Sequence, residues 1–134
     1  MQSIERFEPK VWPREWGEEI IIAETPTYLG KVLRMLAGTQ GGLQYHRQKD
    51  ETFYLVSGRA LVECEVVKNS AGELAVTTIP MAVGESYHIP PGAVHRVTAV
   101  TDCVFFETST PHHDDRVHVE HLYDLPETGG LPTT

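Results

Sequence analysis

The chain has 134 residues, of which 40% are hydrophobic and 22% charged, proportions typical of a single globular domain and not of a disordered segment. Nineteen acidic residues against eleven basic ones give a net charge of −8, which argues against nucleic acid or an anionic membrane as the main partner. The longest aliphatic run, Ile20 to Ala23, is too short to span a bilayer, and the first residues lack the pattern of a secretory signal. The sequence therefore predicts a cytoplasmic protein.

Short runs rich in Val, Ile, Thr, Phe and Tyr dominate the middle of the chain and alternate with turn signals such as Gly41-Gly42 and Pro90-Pro91-Gly92. No stretch between them repeats its apolar residues at helical spacing. The pattern predicts eight strands in an all-β sandwich or barrel. These strands are Glu19 to Thr25, Lys31 to Ala37, Thr52 to Ser57, Ala60 to Val67, Leu74 to Ile79, Glu85 to Ile89, Val94 to Val100 and Val104 to Thr108.

The two ends of the chain differ from the middle. Residues 1–18 contain two prolines and two tryptophans, which favour an irregular N-terminal arm held to the body by its aromatic side chains. Residues 110–134 contain three of the nine prolines and are expected to form an irregular C-terminal tail packed on the barrel, fraying after Pro126. Residues 19–109 are left as the single β-barrel domain.

Four residues from separate parts of the chain form a candidate metal-ligand set. Gln44 and His46 point to one face of an extended segment because side chains alternate along a strand. Glu51 opens the next predicted strand, and His95 follows a rigid Pro-Pro-Gly turn that aims it. Two imidazoles, one carboxylate and one amide oxygen suit one divalent ion such as Zn, Mn, Fe, Ni or Co. The alternative for Gln44 is that its amide orients a water molecule bound to the ion.

The spacing of these residues resembles the two sequence motifs of the cupins. The first motif, G-x5-H-x-H-x3,4-E-x6-G, matches Gly38, Gln44 in the first His position, His46, Glu51 and Gly58. The second motif, G-x5-P-x-G-x2-H-x3-N, matches Gly84, Pro90, Gly92 and His95, with Ala99 in place of the usual Asn. This resemblance implies a double-stranded β-helix, the cupin jelly-roll barrel, with Gln44, His46, Glu51 and His95 as metal ligands inside it.

Within the cupins, the chain resembles the C-terminal domain of type II mannose-6-phosphate isomerases. The similar segments include Trp16-Gly17, the Gln-x-His variant of the first motif and His95-Arg96. The resemblance implies a metal-dependent aldose–ketose isomerisation of a small polar sugar or sugar phosphate. This chain differs from that group at positions where the group prefers other side chains, such as Gln48 and Phe53, and the 134 residues do not include a nucleotidyltransferase domain.

Such a reaction needs a base and groups that hold the substrate. The metal polarises a carbonyl group while the base moves a proton between adjacent carbons, and His88 and Glu107 are the candidate bases. Arg47, Lys49 and Arg96 are the candidates for binding a phosphate or carboxylate. The histidines of the tail, outside both motifs, are expected at the surface.

Two other functions remain open on the sequence. Two histidines and one carboxylate are also the set with which non-haem iron activates oxygen, which would make the chain a dioxygenase-type cupin. Alternatively, the chain is a sensory cupin that binds a sugar without converting it. In each case we expect a homodimer, because a strand such as Glu19 to Thr25 can extend a partner's sheet.

Overall fold

The computed structural model describes residues 1–113 and 115–123, and this part of the chain is almost entirely β-structure. It contains eleven strands and one short 3₁₀ helix, Glu120–Tyr123. The strands are β1 Lys10–Arg14, β2 Gly17–Glu24, β3 Leu29–Met35, β4 Gln44–His46, β5 Glu51–Ser57, β6 Ala60–Lys68, β7 Leu74–Met81, β8 Ser86–Ile89, β9 His95–Ala99, β10 Cys103–Ser109 and β11 Arg116–His118. No helix among the described residues is long and apolar enough to cross a membrane.

The strands form two antiparallel sheets that enclose one main core. The six-stranded sheet has the order β1-β2-β3-β10-β5-β8, and the five-stranded sheet has the order β11-β4-β9-β6-β7. Strand alternation turns every second side chain inward, so that Leu55, Val62 and Phe105 are at most 2% exposed. Two sheets closed around a shared interior confirm the all-β jelly-roll barrel that the sequence predicts.

The N-terminal segment is more regular than the sequence suggests. Residues 10–14 form β1, which pairs with β2 in register from Lys10 opposite Ile21 to Arg14 opposite Gly17. Pro13 is compatible with this strand because β1 is the edge strand of its sheet. Proline has no N–H group, and on the open side of an edge strand no neighbouring strand needs one for a hydrogen bond. The expectation of an irregular arm therefore fails at residues 10–14, where backbone pairing outweighs the turn signal of proline.

The C-terminal segment also adds a strand to the barrel. The short β11 pairs with β4, placing Arg116 opposite His46. After it, Val119 packs on Leu43, and the Glu120 carboxylate accepts a hydrogen bond from the Leu43 N–H at 2.9 Å. The predicted fraying after Pro126 lies outside the described residues.

Two glycines at tight turns fix the strands that carry the site. Gly58, between β5 and β6, has φ of 95°, and a Cβ atom there would lie 2.2 Å from the carbonyl oxygen of Asp102. Gly92, in the Pro-Pro-Gly turn, has φ of 85° and donates its N–H to the carbonyl oxygen of His46 at 2.8 Å. The second contact joins the turn before β9 directly to β4.

Candidate metal centre

Three buried side chains from both sheets converge inside the barrel. His46 ends β4 and His95 begins β9 in the five-stranded sheet, whereas Glu51 begins β5 in the six-stranded sheet. One ligand atom of each residue lies within 4.8 Å of the other two. The Nε2 atoms of His46 and His95 lie 3.3 and 3.4 Å from the same carboxylate oxygen, Oε1 of Glu51. These three atoms could hold one metal ion.

The hydrogen bond of His95 decides which nitrogen atom faces the centre. Nδ1 of His95 lies 2.9 Å from the carbonyl oxygen of Ala93, and a carbonyl oxygen can only accept, so Nδ1 carries the proton. In the neutral imidazole, Nε2 then presents a lone pair toward Oε1 of Glu51, which is also an acceptor. A lone pair directed at a carboxylate oxygen is the arrangement expected of two ligands that share a cation.

His46 is also suited to coordinate a metal. Burial lowers the pKa of His46, and attraction to Glu51 only partly offsets this effect. The imidazole is therefore neutral at neutral pH, which is the form that binds metal ions.

Gln44 lies beside the three ligands. It is half-buried, faces the same cavity and is paired opposite His95 between β4 and β9. This position suits either a fourth ligand or an amide that orients a bound water molecule, the two possibilities that the sequence leaves open.

The three ligands line a cavity of about 100 Å³. One part of its wall is apolar and aromatic, and the other part is polar and charged. The apolar part consists of Trp16, Leu33, Met35, Phe53, Val97 and Phe105, and the polar part of Gln44, His46, Lys49, Glu51, His95, Arg96, Glu107 and Arg116.

Lys49 connects Glu51 to a second buried carboxylate in this cavity. Its Nζ lies 3.1 Å from Oε2 of Glu51 and 3.3 Å from Oε2 of Glu107. Burial would lower the pKa of Lys49, but the two carboxylates outweigh it and raise the pKa, so Lys49 is a fixed positive charge. Lys49 is thus an ion-pair partner of the candidate ligand Glu51 and not an exposed cation at the cavity rim.

The two carboxyl groups differ in acidity. Burial would raise the pKa of Glu51, but attraction to the Lys49 charge outweighs burial and holds the pKa well below its ordinary value. Burial raises the pKa of Glu107 to about 6, against the attraction of Lys49. Glu51 is therefore a carboxylate in ligand form, whereas Glu107 exchanges its proton close to neutral pH.

The ion pairs continue from Glu107 away from the cavity. Lys31 lies 3.6 Å from Glu107 and 2.8 Å from Glu19, which in turn binds Arg14 at 3.0 Å. Lys31 and Glu19 are at most 1% exposed. We call these six residues, Arg14, Glu19, Lys31, Glu107, Lys49 and Glu51, the buried ion chain.

The acid-sensitivity of Glu19 provides a pH-dependent prediction. Burial would raise the pKa of Glu19, but Lys31 and Arg14 outweigh it and lower the pKa below its ordinary value of 4.5. A lowered pKa in the folded state stabilises the fold above about pH 4.5, and this contribution is lost as the pH falls through the folded-state pKa. Glu19→Gln is therefore expected to be less stable than the wild type at pH 7, with a difference that shrinks below pH 4.5. Urea unfolding of both proteins with chelator present, from pH 7 to pH 3.5, measures this; a constant difference would contradict it.

His88 and Arg47 are not brought to the cavity. Ile89 faces the core at 6% exposure, so the preceding side chain, His88, turns outward, where it pairs with the Asp50 carboxylate. His88 lies in a separate, open groove with Thr52 and Thr108. Arg47 is exposed because it follows the inward-facing His46. From these positions, His88 does not face the cavity as a base would, and Arg47 does not face it as a group that contacts a substrate would.

Glu107, Lys49 and Arg96 do line the cavity, and so does one cation that the sequence did not suggest. Arg96 binds the carboxylate of Glu63 through both its Nε, at 3.1 Å, and its terminal nitrogen. Arg116 reaches the cavity from β11, a strand of only three residues in the predicted tail. Its position was not predictable from local pattern because it depends on β11 pairing with β4.

A family model described as "Cupin domain" matches residues 31–109, which include both motifs and the three candidate ligands. The chain is a cupin. A comparison with curated proteins finds no match.

Solved structures with the same fold support this assignment. CapF of Staphylococcus aureus, described as a capsular polysaccharide assembling protein, is 20% identical with a TM-score of 0.71, covering 84% of this cupin and 32% of its own chain. An RmlC-like cupin from Shewanella frigidimarina is 20% identical with a TM-score of 0.64, covering 86% and 98%. Oxalate decarboxylase of Lactobacillus farciminis, solved with formate, is 21% identical with a TM-score of 0.64, covering 85% and 34%. This cupin thus spans about a third of the CapF chain, and identities this low show the fold alone.

Proposed function

We propose that this cupin binds one divalent metal ion at His46, Glu51 and His95 and isomerises a small sugar or sugar phosphate between its aldose and ketose forms. The observation that carries the proposal is the position of Glu107, a buried carboxyl group in the same cavity as the three candidate ligands. The fold that the chain shares with CapF, described as a capsular polysaccharide assembling protein, supports a carbohydrate substrate.

The residues that line the cavity have different roles in such a reaction. A bound divalent ion would supply Lewis acidity, which polarises a carbonyl group and its neighbouring hydroxyl group. Glu107 takes the proton from the hydroxyl-bearing carbon next to the carbonyl group and returns it to the carbonyl carbon, while the hydroxyl proton passes to the former carbonyl oxygen. Lys49 holds the carboxylates of Glu107 and Glu51 in fixed positions. The apolar wall around Phe53 and Phe105 limits the water that reaches the exchanging proton.

The test uses a variant that removes the base but leaves the metal ligands. Glu107→Gln is expected to lower the turnover of a responsive sugar phosphate by about 10²- to 10⁴-fold, the usual contribution of a general base. Its affinity for Co²⁺ or Mn²⁺ should remain close to that of the wild type. The measurement is aldose–ketose interconversion over a panel of sugars and sugar phosphates, with metal binding measured in parallel.

Glu19→Gln is the matched control, because it removes a buried carboxylate of the ion chain that does not line the cavity. It should keep its turnover at temperatures at which it is folded. Equal turnover of Glu107→Gln and wild type would contradict the role of Glu107. Saturable sugar binding without turnover in the wild type would instead identify a sugar-binding cupin.

The ligand set also favours a second candidate function. Two histidines and one carboxylate are the protein ligands of many non-haem iron oxygenases. With Fe²⁺ bound, such an enzyme would consume dioxygen in the presence of its substrate, whereas an isomerase needs no oxidant. Oxygen uptake measured over the same panel separates the two functions.

We also propose that the chain forms a homodimer through the outer face of the six-stranded sheet. Apolar side chains stand in register across five strands of this face: Val11 in β1, Ile20 in β2, Val32 in β3, Phe106 in β10 and Tyr54 in β5. Val11 and Tyr54 are 55% and 40% exposed. An exposed apolar row of this length is typical of a surface that another chain covers. Sedimentation equilibrium measures the mass of the assembly and tests whether it is that of a dimer.

A further inference from the structure

The residues between two of the candidate ligands cross from one sheet to the other. His46 ends β4 in the five-stranded sheet, Glu51 begins β5 in the six-stranded sheet, and residues 47–50 connect them. We call residues 47–50 the ligand loop. It contains no helix or strand, and three of its four residues are exposed. Because a short connection limits where its two ends can lie, the conformation of this loop affects the 3.3 Å distance between Nε2 of His46 and Oε1 of Glu51.

Asp115 accepts the first three backbone N–H groups of the ligand loop. The N–H of Arg47 donates to the backbone carbonyl oxygen of Asp115 at 3.2 Å. The N–H groups of Gln48 and Lys49 both donate to one carboxylate oxygen, Oδ2 of Asp115, at 2.6 and 2.8 Å. Hydrogen bonds to an ionised acceptor are shorter and stronger than those between neutral groups. One side chain therefore fixes the middle of the loop.

Thr110 holds the last residue of the ligand loop. Its hydroxyl oxygen accepts the N–H of Asp50 at 3.1 Å, and its own N–H donates to the carbonyl oxygen of Asp50 at 3.0 Å. Thr110 directly follows β10 of the six-stranded sheet, whereas Asp115 directly precedes β11 of the five-stranded sheet. All four N–H groups of the loop are thus bound by two residues that lie beyond residues 31–109, the part matched by the family model.

These contacts have a consequence for metal binding. Fixing the backbone of a loop without regular structure costs conformational entropy. A loop that is already fixed in its bound conformation saves this cost when the ligand binds. With Asp115 in place, the two ligands at the ends of the loop meet before any ion arrives. Without it, metal binding would have to order the loop as well.

We propose that Asp115 is a positioning residue of the metal centre, which acts through the ligand loop and is not itself a ligand. Its carboxylate holds the N–H groups of Gln48 and Lys49 and thereby keeps His46 and Glu51 in place for a divalent ion. This inference rests on the metal site of the proposed function. It extends the centre to a residue outside both sequence motifs.

The first experiment measures metal affinity and needs no known substrate. Co²⁺ or Mn²⁺ is titrated into the full-length, metal-free protein in the calorimeter. Asp115→Ala is expected to weaken binding by about 10- to 100-fold, the usual effect of removing a group that orients metal ligands. Asp115→Asn should recover most of this loss, because Oδ2 alone accepts both N–H groups and an amide oxygen also has two lone pairs.

Asp102→Ala is the matched control. Its carboxylate also accepts a backbone N–H, that of Ala37 at 2.8 Å, but Asp102 does not line the cavity. This variant loses the same charge and the same kind of hydrogen bond elsewhere in the barrel. Its metal affinity should equal that of the wild type.

The second experiment follows the ligand loop itself in the metal-free protein. Amide hydrogen exchange resolved by NMR should show protected N–H groups at Gln48 and Lys49 in the wild type, although Gln48 is exposed. Asp115→Ala should speed up exchange at both positions, whereas Asp102→Ala should not. Fast exchange at both positions in the wild type would overturn the inference without any variant.

Three results of the titrations would contradict the proposal in different ways. Equal affinity of Asp115→Ala and the wild type would overturn it and leave the metal site in place. Binding as weak in Asp115→Asn as in Asp115→Ala would show that the lost charge matters and the loop contact does not, which also overturns it. Absence of metal binding by the wild type would instead remove the proposed function itself.

Discussion

Replacing Lys31 with methionine is expected to destabilise the protein by about 3 kcal/mol, the lower end of the range for removing one partner of a buried ion pair. The side chain is 1% exposed, and its Nζ lies between the carboxylates of Glu19 and Glu107. Methionine has similar length but no charge, so it leaves both carboxylates short of one buried cation. The loss should not reach the upper end of the range because Glu19 keeps Arg14 and Glu107 keeps Lys49. Urea unfolding of the metal-free protein measures the change.

The control for this prediction is the exposed ion pair of Lys10 and Glu24. Its two charged atoms lie 2.9 Å apart, but the side chains are 48% and 31% exposed. Lys10→Met is expected to cost less than about 1 kcal/mol, as is usual for exposed pairs. Equal costs for Lys31→Met and Lys10→Met would show that the buried ion chain contributes no more than a surface contact.

Replacing His95 with alanine is expected to weaken divalent metal binding by at least about a hundredfold, more than is usual for residues that only support a ligand. Glu51→Gln should also weaken binding because it removes the charged ligand while nearly preserving its shape. The variants should remain folded, since the apolar core does not include these residues. At a metal concentration of one hundred times the wild-type Kd, the wild type should exceed His95→Ala in stability by about 2.3 kcal/mol for a hundredfold loss of affinity, and by about 2.7 kcal/mol if the variant binds no metal. Calorimetric titration and thermal melts of all three proteins measure both effects.

His88→Ala is the matched control, because it removes an exposed histidine from outside the cavity. Its metal affinity should equal that of the wild type. Full metal content in both His95→Ala and Glu51→Gln would show that the ligands are elsewhere. Unfolding of the wild type at room temperature on chelation would show that the ion is required for the fold.

The sequence carried most of the information on the barrel because strand alternation and turn residues are local signals. The eight predicted strands correspond to β2, β3 and β5 to β10 of the structure. Three strands were not among the eight: β1, which contains Pro13, β4, which has three residues, and β11, which has three residues whose pairing with β4 depends on the folded barrel. Such strands form because a neighbouring edge is available, and their own residues do not indicate it.

The candidate site was also predicted in part from the sequence. The motif spacing predicted which residues meet, and His46, Glu51 and His95 do converge in the structure. The outward direction of His88 follows from the inward-facing Ile89 one position later, so counting back from the core residue would have predicted it. The burial of Lys31 and Glu19 was not predicted because charged residues are usually exposed. Lys31 nevertheless lies between Leu29 and Leu33 on the same face of its strand, and this pattern indicates an inward-facing side chain.

Crystals grown with Co²⁺ or Zn²⁺ and measured at the absorption edge of the metal would test most directly whether His46, Glu51 and His95 bind the ion. We expect one strong anomalous peak inside the barrel, about 2.0–2.2 Å from Nε2 of His46, Nε2 of His95 and a carboxylate oxygen of Glu51. Data collected on the low-energy side of the edge identify the peak as the added metal. A barrel without an anomalous peak, with the metal instead on an exposed histidine such as His113, would show that His46, Glu51 and His95 do not hold the ion.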